Sequence, residues 1–64
     1  MKINENTFIC LLSQEIQIAI LEKCTIYLEN EGYDTKKIEE ILDNVSSSRL
    51  WVVGEILDIS KYLT

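Results

Sequence analysis

Histidine and proline are both missing from this chain of 64 residues, and glycine and cysteine occur only twice each. Each shortage closes a route. Without histidine the commonest general base is gone, and with it the Ser–His–Asp and Cys–His arrangements of nucleophilic catalysis. Two cysteines alone cannot complete a four-ligand zinc site. Gly32 and Gly54 do not build a phosphate-cradling loop. Basic residues are few and scattered: six Lys and Arg stand against eleven Asp and Glu, for a net charge of −5. A nucleic-acid binder presents a basic face, so direct nucleic-acid binding is not expected, nor is attraction to an anionic membrane. The uncharged run Thr7–Gln14 is too short to span a bilayer. No leader is read at the polar Met1–Thr7, so Cys10 and Cys24 are expected as reduced core thiols in a cytoplasmic protein.

What is present is apolar side chain, 47% of the residues. A chain this short forms one domain, residues 1–64, and hides only about 60% of the surface its unfolded form exposes. Domains of this size rely on a staple, and with metals and multiple disulfides excluded, association with another chain remains.

Punctuation along the chain predicts an all-α fold, a small bundle of three main helices plus a short N-terminal helical segment. Asn4 or Asn6 can cap a turn through Phe8–Leu11. Those residues also favour extended backbone, but a lone strand has no partner. Ser13 caps a helix starting at Gln14 and ending at Gly32, a C′ glycine. On that helix Ile16, Ile20, Cys24, Tyr27 and Leu28 fall within about 120° and form a core stripe. Asp34 caps a second helix, with Ile38, Ile41, Leu42 and Val45 on one face and Glu39, Glu40 and Asp43 outside it. Any of Ser46, Ser47 and Ser48 can cap a last helix from about Arg49 to Tyr62, in which Gly54 costs about 1 kcal/mol relative to alanine.

Two of these helices carry more apolar surface than one core uses. Ile18 and Ile26 lie off the core stripe of the first long helix. On the last, Leu50, Val53, Ile56 and Leu57 form a face that Val52, Ile59 and Leu63 widen to about 160°. Trp51 and Tyr62 add an aromatic pair about 20° apart on that helix, with Arg49 at its start. Such a helix either lies at the centre of the core or forms an interface, and Trp, Tyr and Arg are the residues enriched at binding hot spots. Trp51, Tyr62, Arg49, Ile18, Ile26 and Ile59 are therefore the candidate protein-binding residues, and a homodimer through these faces accommodates both alternatives.

Chemistry is sparse elsewhere. The run Glu29–Asp34 has oxygen donors but lacks the spacing and terminal Glu of a calcium loop. Glu39 and Glu40 are adjacent and point in different directions on a helix. The chain is read as a non-enzyme without catalytic residues, metal or cofactor.

Two resemblances add to this reading. Leu12-Ser13-Gln14-Glu15-Ile16-Gln17, Glu31-Gly32-Tyr33, Ser48-Arg49-Leu50 and Glu55-Ile56-Leu57-Asp58-Ile59 resemble segments of small helical proteins from phages and prophages of low-GC Gram-positive bacteria. The likeness spans most of the chain. It implies an inhibitor of a host complex, of the anti-CRISPR or other anti-defence type, that occludes a protein surface in the host cytoplasm. Over Gly32–Leu57, the spacing of Gly32-Tyr33, then Ile38, Ile41, Leu42, then Val52, Val53, Ile56 is similar to a ubiquitin-associated-type three-helix domain. That likeness implies a contact surface made by Gly32, Tyr33 and the last helix, although Glu31 stands where that family usually has Met. The expected function is protein–protein interaction, with a host protein complex as partner. The alternatives are a small dimeric transcriptional regulator and a structural or adaptor subunit. For the regulator, Glu39, Glu40 and Asp43 on the second helix would face phosphates unfavourably.

Overall fold

Local hydrogen bonding fixes the ends of both α-helices in the computed structural model, which describes residues 2–64. Helix α1 spans Gln14–Asn30, and Ser13 caps it, its Oγ accepting the Ile16 N–H at 3.3 Å. The side chain of Gln17 donates to the Leu12 carbonyl at 2.8 Å, tying α1 to a preceding 3-10 turn over Ile9–Leu11. At the other end Gly32 adopts φ 91°, a left-handed conformation that side chains with a Cβ resist. The Tyr33 N–H then reaches back to the Leu28 carbonyl and the Gly32 N–H to that of Glu29, closing a Schellman motif. Helix α2, Thr35–Ser46, begins where Asp34 accepts the Lys37 N–H at 2.8 Å. The short connection makes α1 and α2 antiparallel neighbours, and they pack against each other.

Beyond α2 the backbone departs from the sequence expectation. The last helix, expected from about Arg49 to Tyr62, is two separate 3-10 pieces, Leu50–Glu55 and Ser60–Tyr62. Three local effects account for this. Trp51, Val52 and Val53 are stiff at χ1, and Gly54 adds a backbone entropy cost, so the α-helical tendency is weak. Asp58 then makes an alternative local bond between the two pieces, its Oδ1 accepting the Ser60 N–H at 3.0 Å and the Ser60 hydroxyl at 2.6 Å. The serines also act differently from the expectation. Arg49 is the N-cap of Leu50–Glu55, and its side chain makes no capping bond. The Ser46 and Ser48 hydroxyls instead donate back to the Asp43 and Asn44 carbonyls, closing the end of α2.

The N-terminal segment runs beside this C-terminal half. Phe8 and Arg49 form an isolated antiparallel bridge. Ile9 N–H donates to Ser48, Leu50 N–H to Thr7 and Trp51 N–H to Glu5, each through the carbonyl oxygen at 2.8–2.9 Å. The Asn4 side chain accepts the Asn6 N–H and so closes its own local turn, while the 3-10 turn at Ile9–Leu11 has Phe8 as its uncapped N-cap. The two chain ends also meet: Ile3 N–H donates to Thr64 Oγ1 at 2.7 Å, and Thr64 N–H to the Ile3 carbonyl at 2.9 Å.

The core gathers side chains from every part of the fold. Ile9, Ile20, Cys24, Leu50 and Val53 are fully buried, and Leu12 and Val45 nearly so. Ile56, Leu57, Ile59, Tyr62 and Leu63 pack against them, partly buried. The C-terminal apolar residues are thus mostly folded inward. Two expected core residues lie outside: Tyr27, placed on the core stripe by its spacing, is exposed, and so is Cys10. Cys10 sits at the surface because it occupies the outward position of a 3-10 turn whose Ile9 enters the core. Among the described residues the fold is mostly helical, without a named strand, and no helix is long and apolar enough to cross a membrane.

Candidate protein-binding surface

The seventeen-residue helix α1 carries apolar side chains on two sides. Ile20, Cys24 and Leu28 point inward. Ile18, Leu21, Glu22, Thr25 and Ile26 follow an i, i+3, i+4, i+7, i+8 spacing, which puts them on one face. That face is not covered: Ile18 is 50% and Ile26 58% exposed. Together the five residues line a shallow groove of about 450 Å³. The Thr25 hydroxyl donates to the Leu21 carbonyl at 2.8 Å, so its polar atom is spent within the helix and its methyl group adds to the apolar lining.

A second groove, of about 570 Å³, runs between α1 and α2 and shares Leu21 with the first. Leu42 continues the apolar floor there, and Glu39, Glu40 and Asp43 stand at its edge with Lys36. Lys37 Nζ lies 3.7 Å from Glu40, an exposed pair worth only tenths of a kcal/mol (about 0.3–0.5). Counting Glu22, four carboxylates border the joined surface and only one ammonium lines it.

The six residues singled out from sequence fall into three places. Ile18 and Ile26 come together on the outer face of α1. Arg49 and Trp51 lie beside the N-terminal segment. The Arg49 guanidinium donates to the Asn6 carbonyl at 2.9 Å and sits 4.4 Å from the centre of the Phe8 ring, so much of its binding capacity is used within the chain. Trp51 is 54% exposed. Ile59 and Tyr62 are partly buried against the core. The break between the two 3-10 pieces removes the continuous helix on which Trp51 and Tyr62 were paired. Sequence reasoning left out Leu21 and Thr25, although their three- and seven-residue separations from Ile18 place them on its face. Leu42, expected on the core face of α2, packs half-buried against the core and also lines the groove.

No family model, curated protein or solved structure matches this chain.

The titrating groups show local tuning outside the grooves. Lys61, by hydrogen bonding and by its charge, holds Lys23 below the ordinary lysine value. The two bonds from Ser60 hold Asp58 below the usual carboxylate range. Hydrogen bonding to Glu31, with its negative charge, pushes the Tyr27 phenol up. Burial raises the Cys24 thiol, which disfavours the nucleophilic thiolate. Among the described residues no group of three or more His, Cys, Asp or Glu side chains converges on a common point, and no polar or charged side chain is buried. What this surface offers is contact: an apolar floor with an acidic edge.

Proposed function

We propose that this chain acts by binding another protein, without chemistry of its own, and that the outer face of α1 is its principal contact surface. The observation that supports this reading is the outward placement of Ile18 and Ile26 along a groove floored by the half-buried Leu21, on a helix whose opposite side already supplies the core. Leaving Ile18 and Ile26 half in water forgoes about half of the 1.5–3 kcal/mol that full burial of each would contribute, and contact with a partner recovers it. In this reading the helices act as a small bundle, closed by the N-terminal segment, and α1 is the side left open. The resemblance to phage and prophage proteins extends the proposal: the bound protein belongs to a host complex, and binding blocks it in the cytoplasm, as anti-defence inhibitors do. Trp51 forms a second exposed element, set apart from the α1 groove in its lining.

The test is capture of partners from host lysate by the tagged chain, compared between the parent, Ile18→Ser/Ile26→Ser and Trp51→Ala. Exposed positions tolerate such changes within about 0.5 kcal/mol each, so all three should fold alike by circular dichroism. Loss of the captured protein in the double serine variant is the expected result. Capture of the same protein in the same amount by that variant would show that α1 is not the contact surface.

A further inference from the structure

We infer that the occupant of the joined α1–α2 groove is a basic amphipathic helix, with aliphatic side chains on one face and Lys or Arg on the other. This deepens the protein-binding reading and rests on it.

The floor and the edge of the groove specify different halves of that partner. The exposed Ile18 and Ile26, with the half-buried Leu21 and Leu42, provide an apolar strip along α1 and onto α2 through the shared Leu21. A strip of this kind receives the apolar face of a helix, whose anchors recur at three- and four-residue spacing. An extended segment would instead need a free sheet edge for its backbone groups, and no named strand exists among the described residues. Charge decides between occupants. Glu22, Glu39, Glu40 and Asp43 edge the strip against Lys36 and the Glu40-paired Lys37, so four carboxylates less two ammonium groups leave the edge a net charge of −2. The chain as a whole carries −5. A second copy docked here would set carboxylates against carboxylates, which opposes self-association through this face. A nucleic acid meets the same repulsion. A helix with cationic flanks is attracted at long range and complements the edge at contact.

The experiment uses the full chain and two fluorescent peptides of about 18 residues, five helical turns. Both carry the same leucine face; one has lysine and the other glutamate on the opposite face. Titrations followed by anisotropy should give binding of the lysine peptide at least about tenfold tighter than of the glutamate peptide, with the preference shrinking as salt is raised. Glu39→Lys/Asp43→Lys should reduce the preference to about threefold or less. Glu5→Lys/Glu55→Lys, the same change in net charge at exposed positions outside the groove lining, should leave it largely intact. Ile18→Ser/Ile26→Ser should weaken binding of the lysine peptide at least about fivefold, and Trp51→Ala should not. Equal binding of the two peptides, binding of neither, or a preference equally sensitive to both charge-reversal pairs would overturn the assignment. If the double serine variant also loses its lysate partner while the peptides show no preference, α1 remains a contact surface and only the basic helix is wrong. Concentration-dependent dimerisation abolished by Ile18→Ser/Ile26→Ser would likewise overturn it, in favour of a second copy.

Discussion

Leu50 and Leu11 provide a controlled test of where the apolar side chains of this small fold reside. Leu50 is completely buried and Leu11 is 59% exposed, so one substitution, leucine to alanine, samples both extremes. Removing a fully buried leucine forfeits its transfer free energy and leaves a partly collapsed cavity, together about 2–5 kcal/mol. At Leu11 more than half of the side chain is already in water, and the loss should stay below about 1 kcal/mol. A domain of this length has a total stability of roughly 3–10 kcal/mol, so Leu50→Ala consumes a large part of it. Each kcal/mol lowers the melting temperature of so small a domain by about 4–8 °C. Leu50→Ala should therefore melt at least about 8 °C below the parent, and Leu11→Ala close to it. Urea titrations followed by circular dichroism at a shared m value give the same comparison at room temperature. Equal losses at the two positions, or a neutral Leu50→Ala, would refute the placement of the C-terminal segment in the core.

Other perturbations follow from the same structure. Gly32→Ala places a Cβ on backbone at φ 91° and should cost about 1 kcal/mol in urea unfolding, whereas Gly54→Ala, whose Cβ would meet only Ile59 at 3.5 Å, should be neutral or stabilising by up to about 1 kcal/mol. Cys10 should react with a thiol reagent at once and Cys24 only as fast as the chain opens, so a single rapid modification by mass spectrometry is expected. Burial raises the Cys24 thiol, so the folded chain holds that proton more firmly than the unfolded one. The resulting stability is complete below the ordinary thiol value of about 8.5 and is lost as pH rises through the folded value, a loss that Cys24→Ala should remove. Asp58 is shifted the other way by its Ser60 bonds; its contribution is present at neutral pH and disappears as pH falls through its lowered value, which acid titration of Asp58→Asn should show by a flatter profile.

The parts of the fold that could be read from residues alone are those decided within a few positions of the chain. Ser13, Gly32 and Asp34 fix the ends of α1 and α2 through bonds to their own near neighbours. The C-terminal half reads as one helix because its apolar spacing fits a helical period, whereas Asp58 and Ser60 bond each other between its two 3-10 pieces. The role of Ser46 and Ser48 was ambiguous for a similar reason: a serine between two helical segments can serve either, and here both bond backward. The pairing of Glu5–Ile9 with Ser48–Trp51 joins segments some forty positions apart and leaves no local mark. The candidate surface divides along the same line. Ile18 and Ile26 could be found because α1 is regular, so angular position translates into exposure. Ile59 and Tyr62 could not be placed, because angles computed on an unbroken helix lose meaning where the helix stops.

Isoleucine methyl resonances recorded with a soluble paramagnetic agent test the claim about α1 most directly. In the free chain Ile18 and Ile26 should be strongly attenuated while Ile9 and Ile20, both fully buried, are spared. Adding the captured partner, or the lysine peptide, should restore Ile18 and Ile26 to the protected level. Attenuation of those two methyls that stays unchanged in the complex would contradict the account.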